Sequence, residues 1–176
     1  MVGMRERRGG RSTRNPYAQI FSIPGTWRFS AAGLIGRMQM SMYGLGTVLL
    51  IAASTGRYGM AGAVASAGAL GSAFVAPQVA RLADQRGQRT VLRPLVTAFA
   101  FATAGLITAV EVHAPDWVLF IPAVLSGASM PSLGSMVRAR WNNLLAGSPQ
   151  LHTAFSFESV ADELVFVLGP AVVTVL

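Results

Sequence analysis

The chain is strongly apolar for its length: 52% of its 176 residues are hydrophobic and only 12% are charged, whereas soluble domains carry about 25% charged residues. It contains no cysteine, which excludes disulfide frameworks, thiolate nucleophiles and cysteine-ligated metals. Its 14 basic residues are all arginines and exceed its 7 acids, for a net charge of +7. Because long apolar runs separate these arginines, the charge pattern favours a membrane protein over a nucleic-acid binder.

Residues 1–24 are polar and arginine-rich, which predicts a disordered cytoplasmic tail. Five apolar runs follow, and each is long enough to cross a bilayer core of about 30 Å as a helix. They cover about 29–55, 59–80, 91–112, 117–137 and 155–176. We therefore predict an all-α fold, a polytopic membrane bundle of five transmembrane helices over residues 25–176, with loops too short to form a separate domain.

The arginines also predict an orientation, since basic residues are retained on the cytoplasmic side of membranes. With the tail inside, only Arg57 falls outside and Arg37 falls within a span, and every other arginine lies on the inner side. Four aromatic residues fall at span ends, where amphipathic rings are favoured: Trp27, Tyr58, Trp117 and Trp141. We expect a multi-pass protein of the plasma (inner) membrane with a cytoplasmic N-terminus.

No motif of catalysis is present in the sequence. Neither His113 nor His152 belongs to an H-E-x-x-H motif, and the chain has no G-x-S-x-G motif and no phosphate-binding glycine loop. Its three aspartates lie far apart, unlike the clustered D-G-x-x-A-R pattern of membrane enzymes that transfer lipid headgroups. We expect no enzymatic activity, no metal and no cofactor, with an intramembrane enzyme as the weaker alternative.

Arg37 is a charge within an apolar span, and such charges usually face a cavity or a partner. Counted at 1.5 Å per residue from the start of their spans, Arg37, Asp162 and Glu163 lie at similar depths of about 10–12 Å. Glu158 and Asp162 are one helical turn apart, and two close carboxylates resist ionising together, as a proton-coupled carrier requires. We predict that Arg37, Glu158, Asp162 and Glu163 form a substrate or proton site. A static ion pair or an interfacial acid cluster is the alternative.

The segment RMQMSMY at residues 37–43 alternates methionines with Gln39, Ser41 and Tyr43. Methionine adapts to varied apolar shapes, so this segment is compatible with an apolar substrate cavity. Simple helix packing is the more ordinary explanation of the same pattern.

The stretch after the second run, RLADQRGQRTVL from Arg81 to Leu92, joins two predicted antiparallel helices. Four residues match the pattern G-x-L-a-D-r-x-G-R-[RK] at the same spacing, and three depart from it. The matches are Leu82, Asp84, Gly87 and Arg89, and the departures are Ala80, Gln85 and Gln88. The stretch resembles the cytoplasmic loop between the second and third helices of major facilitator superfamily transporters.

This resemblance implies a gating loop made of Asp84, Arg86, Gly87 and Arg89. In the transporters that it resembles, the aspartate and basic residues of this loop form a charge network with the other half of the protein. That network breaks when the inner gate opens. Gly87 can also supply the positive φ of a tight turn, and ordinary solvated charges of an inner loop are the alternative for the remaining residues.

Gly169 and Pro170 in the fifth run resemble the glycine–proline signature of antiporters in the same superfamily, and imply a helix kink and an interface there. Val165, Val173 and Thr174 occupy positions where that signature prefers glycine. In the fourth run, Ala123 stands where drug:proton antiporters carry an arginine. The chain thus carries the glycine–proline pair of an antiporter but not the other glycines or the arginine.

Carriers of this superfamily are built from two six-helix halves. The resemblance therefore implies the N-terminal portion of a secondary active carrier, the first five of an expected twelve helices. Proton-coupled efflux of a small solute is among its options, and we do not expect this portion to transport alone. Its expected partners are the lipid bilayer, an unknown small-molecule substrate and a C-terminal half, with no nucleic acid. The alternative is a small non-transporting membrane protein that packs against a partner subunit through its glycine-rich second run.

Overall fold

The structure, a computed structural model, describes residues 15–175 of the chain, and this part is helical with no strand. An all-α fold is therefore confirmed for it. The helices are α1 (Pro16–Phe21), α2 (Thr26–Thr55), α3 (Tyr58–Arg86), α4 (Gln88–Glu111), α5 (Asp116–Ala128), α6 (Leu133–Leu145) and α7 (Gln150–Val175).

Four helical stretches are long and apolar enough to span a membrane: α2, α3, α4 and the combined stretch Asp116–Leu145. Large apolar side chains such as Ile35, Phe74 and Phe101 are exposed on the outside of the bundle. Both features fit a membrane-embedded protein, because exposing such large apolar side chains to water is unfavourable. α7 is not one of these four helical stretches. Its three acids lie near its middle, so it has no sufficiently long segment that is poor in charge. The fifth span at 155–176 stays a prediction.

The fourth predicted span, over about 117–137, falls within the candidate span Asp116–Leu145, but where the sequence indicates only a kinked helix the structure interrupts the helix. α5 ends at Ala128 and α6 begins at Leu133, with Pro131 between them. Proline lacks the N–H that a continuing helix needs, and its ring disfavours helical geometry in the residue before it. The helix is interrupted here although Pro122, inside α5, is tolerated.

The prediction of a disordered tail is wrong for residues 16–21, which form α1. The Asn15 side chain accepts a hydrogen bond from the Tyr17 N–H at 3.0 Å, and Pro16 occupies the first turn. Ile20 is buried in an apolar cluster with Trp141. Residues 1–14 of the predicted tail lie outside the described part of the chain.

Glycines set how closely the helices approach each other. A Cβ added at Gly127 of α5 would lie 1.8 Å from the carbonyl oxygen of Gly68 in α3. A Cβ at Gly71 would lie 2.6 Å from the carbonyl oxygen of Val124. The α3–α5 contact is therefore one of backbone against backbone, as is common where small residues line helix interfaces in membranes.

Two apolar clusters fill the interior. One contains Ile51, Val64 and Leu106 and joins α2, α3, α4 and α5. The other surrounds Trp141 and joins α1, α6 and α7, with Phe29 of α2 packed against it. Arg37 lies between these two clusters along α2.

We expect the substitution Gly127→Ala to destabilise the bundle by about 1–3 kcal/mol, because the new methyl group meets backbone atoms that cannot move independently. Gly62→Ala in α3 is the matched control, since a Cβ there has nothing within 4 Å. Thermal unfolding of the two variants in the same detergent, followed by circular dichroism, measures the difference. Equal melting temperatures would contradict the close α3–α5 packing.

Candidate functional site

The structure brings Arg37 of α2 together with two carboxylates of α7. The guanidinium is 4% exposed and donates to the Glu158 carboxylate at 2.5 Å and to the Asp162 carboxylate at 2.6 Å. Its Nε also donates to the carbonyl oxygen of Gly33 at 3.0 Å. Both acids share one face of α7 because they are four residues apart. Arg37 is thus held on three sides.

Glu158 is completely buried, with 0% of its side chain exposed. Its Oε1 accepts hydrogen bonds from the Ser30 hydroxyl at 2.6 Å and from the Trp141 indole N–H at 2.7 Å, while Arg37 contacts Oε2. Burying a carboxylate is costly unless it is paired and hydrogen-bonded. This one receives donors from α2 and α6, so it serves as the anchor of the site.

Asp162 connects this buried anchor to the surface. Its Oδ1 accepts from Arg37 and its Oδ2 accepts from Arg138 of α6 at 2.6 Å. Asp162 is 25% exposed and Arg138 is 44% exposed. We call Arg37, Glu158, Asp162 and Arg138 the charge network. It holds two positive and two negative groups, and Asp162 is the carboxylate that solvent or a solute can reach.

Glu163 does not join the charge network, so its predicted membership is wrong. Its side chain is exposed and makes no ion pair within residues 15–175. Consecutive residues of a helix point in directions about 100° apart, because a turn takes about 3.6 residues. Glu163 and Asp162 lie at nearly the same depth along α7, which is why the sequence groups them. Their side chains point in different directions around the helix, so only Asp162 reaches Arg37.

Sequence reasoning missed three members of the site: Ser30, Arg138 and Trp141. The sequence predicts Arg138 as an inner basic residue and Trp141 as an interfacial anchor; the second prediction is wrong, because Trp141 is completely buried and donates to Glu158. A buried carboxylate requires several donors, so Glu158 within an apolar span was a signal that donors lie nearby. Their identity depends on the break between α5 and α6, where Pro131 predicts a kink but not the new direction of α6.

The predicted gating loop is much shorter than expected. α3 continues to Arg86 and α4 starts at Gln88, leaving only Gly87 between them, with φ of 84°. Asp84, Arg86 and Arg89 are all exposed, and in the described part of the chain Asp84 forms no ion pair with either arginine. A charge network of this loop with another half of the protein stays a prediction.

Gly169 lies directly against α2. A Cβ at this position would be 1.7 Å from the Ser41 hydroxyl oxygen, and that hydroxyl donates to the carbonyl oxygen of Val165 at 2.9 Å. α7 remains helical through Pro170 to its end at Val175. Gly169 therefore positions α7 against α2, on the same pair of helices that the charge network joins.

Comparison of the chain with family models, curated proteins and solved structures gives no match. The resemblance to the major facilitator superfamily thus rests on the motifs quoted above.

Two arginine–carboxylate pairs of this chain allow a matched test of burial. We expect Arg37→Ala to destabilise the protein by about 3–5 kcal/mol, because it leaves Glu158 buried without its counter-charge. Arg57→Ala breaks an exposed pair with Asp116, 2.7 Å apart in the structure, and should cost about 0–1 kcal/mol. Thermal unfolding in detergent measures both. A smaller effect of Arg37→Ala than of Arg57→Ala would contradict the burial of the charge network.

Proposed function

We propose that this chain is a membrane-embedded part of a secondary active carrier for a small solute, with the charge network as its coupling site. The observation that carries this proposal is a buried arginine held by two carboxylates across α2 and α7, inside a bundle with an apolar exterior. A charge at the centre of a bilayer costs at least about 2.5–3.5 kcal/mol, and such groups commonly mark substrate or proton pathways.

The chemistry of the network supports a role for Asp162 in coupling. Glu158 is enclosed by three donors, whereas Asp162 bridges a buried and an exposed arginine. Protonation of Asp162 would weaken both of its ion pairs and leave Arg138 free to move from α7. An anionic solute could replace the Asp162 carboxylate at Arg138 by the same logic. Movement between α6 and α7 is the conformational step that either event would favour.

The exposed residue Glu163 favours a second candidate, a non-transporting membrane protein packed against a partner subunit. Glu163 lies on α7 among exposed apolar side chains, namely Val160, Leu164 and Val167. Lipid offers no partner to a carboxylate, whereas a neighbouring helix with a basic or hydroxyl side chain would supply one. On this interpretation the charge network is a static clamp that holds α2 and α7 together.

Both candidates require a membrane, and extraction tests that requirement. We expect the native protein to stay with purified membranes through high-salt and alkaline washes and to be released only by detergent, because apolar side chains cover its exterior. Release by salt alone would contradict both.

The two candidates differ in the size of the whole protein. Reading the coding DNA past codon 176 and measuring the native protein's mass separates them. The carrier requires further apolar spans encoded after this point, and the partner-bound protein requires a stable product of this chain's own size together with a second subunit.

We expect Asp162→Asn to abolish or flatten the pH dependence of transport by the complete protein, because it removes the accessible carboxylate of the network. The measurement uses proteoliposomes with a pH-sensitive dye inside, to which a panel of small solutes is added. Glu111→Gln is the control, since Glu111 is exposed at the end of α4 and belongs to no ion pair in the described residues. An unchanged pH profile in a folded Asp162→Asn protein would contradict the coupling role.

A further inference from the structure

A second candidate site lies between α2 and α4. It is a cavity of about 450 Å³ with walls that include Gln39, Tyr43 and Thr47 of α2, and Phe99 and Thr103 of α4. Small-molecule pockets of proteins typically enclose about 300–1,000 Å³. None of the residues that line this cavity is charged, and none belongs to the charge network.

Two polar groups of the α2 wall already have partners. The Tyr43 hydroxyl hydrogen-bonds the Ser126 hydroxyl of α5, and the Thr47 hydroxyl donates to the Tyr43 carbonyl oxygen at 2.8 Å. The Tyr43 ring also contacts the Phe99 ring, with centroids 5.6 Å apart. These contacts hold Tyr43 in place and give the cavity a fixed wall.

Thr103 differs from its neighbours on the same helix. Thr97 and Thr108 donate their hydroxyls to the carbonyl oxygens of the residues four positions earlier, at 2.8 and 2.9 Å. The hydroxyl oxygen of Thr103 is buried and has no hydrogen-bond partner in the described part of the chain. Buried polar groups in proteins are rarely left unpaired, because the lost hydrogen bond with water is not replaced. Because Thr103 lines the cavity, a ligand bound there could supply the hydrogen-bond partner that this hydroxyl lacks.

We propose that this cavity binds a neutral, largely apolar small molecule that hydrogen-bonds the Thr103 hydroxyl. The uncharged lining selects against ions, since an ion would lose its hydration without gaining a counter-charge. Met42 in the lining can adapt its side chain to apolar ligands of different shapes. The site does not depend on the transport proposal, because it shares no residue with the charge network.

The test uses phenylnaphthylamine, a neutral apolar fluorophore with one N–H group, and its anionic sulfonated analogue. The complete gene product is held in a mild detergent, and fluorescence is compared with that of protein-free micelles. We expect saturable binding of the neutral probe only. Thr103→Val should weaken it about fivefold to tenfold, the effect of one lost hydrogen bond. Thr108→Val should leave it unchanged, because that hydroxyl is paired within α4.

A second pair of variants tests the cavity rather than the hydroxyl. Gly46 lines the cavity, and a Cβ there meets only Val173 at 3.9 Å, so Gly46→Leu should fill the space and abolish binding. Gly44→Leu is the control, because Gly44 is exposed with nothing within 4 Å of an added Cβ. Without ligand, Thr103→Val should melt no lower than the parent protein, since it removes an unpaired polar group.

Three results would overturn the proposal. They are equal affinities of the Thr103→Val and parent proteins, saturable binding of the anionic analogue at equal strength, and no saturable binding of the neutral probe. The last result would mean that a lipid chain or another helix occupies the cavity. None of these results bears on the Asp162→Asn experiment, so the two proposals fail separately.

Discussion

The ion pair between Arg37 and Glu158 is the contact on which the arrangement of α2, α6 and α7 depends. Neither charge can be buried alone, so each helix that carries one is held against the helix that carries the other. Glu158 also accepts a hydrogen bond from the indole N–H of Trp141, and the rings of Phe21 and Phe29 pack edge-on against that indole. The packing of α1 and α6 thus follows from satisfying one buried carboxylate.

The other side of the bundle is held by a different kind of contact. Gly68 and Gly127 let α3 and α5 approach with backbone against backbone, and the ion pair between the starts of these helices, Arg57–Asp116, is exposed. α2 belongs to both sides, since it packs against α3 as well as α7. At the α2–α7 contact Gly169 lies against the Ser41 side chain, on the same pair of helices that the charge network joins.

Counting residues along predicted spans placed Arg37 and Asp162 at matching depths, the one-turn spacing to Asp162 added Glu158, and the structure joins these three. The same count failed for Glu163, because depth ignores the direction in which a side chain points around the helix. Arg138 and Trp141 could not be assigned, since their positions depend on the break at Pro131 and on the new direction that α6 takes after it. α1 was missed because six residues give too little apolar periodicity, although Asn15 and Pro16 are typical of a helix start.

The unequal environments of the two network acids are the strongest argument for a moving part in this protein. A clamp that served only to hold α2 against α7 would be complete with Glu158, which already has Arg37, Ser30 and Trp141 as donors. Asp162 forms a second ion pair with Arg37 through Oδ1. Its Oδ2 pairs with Arg138, a side chain in contact with solvent. On the proposed carrier function, the pair that links α6 to α7 is the one that a proton or a solute would disrupt, while the buried pair keeps α2 and α7 together. Such a division between a fixed and a breakable contact is what a two-state element requires.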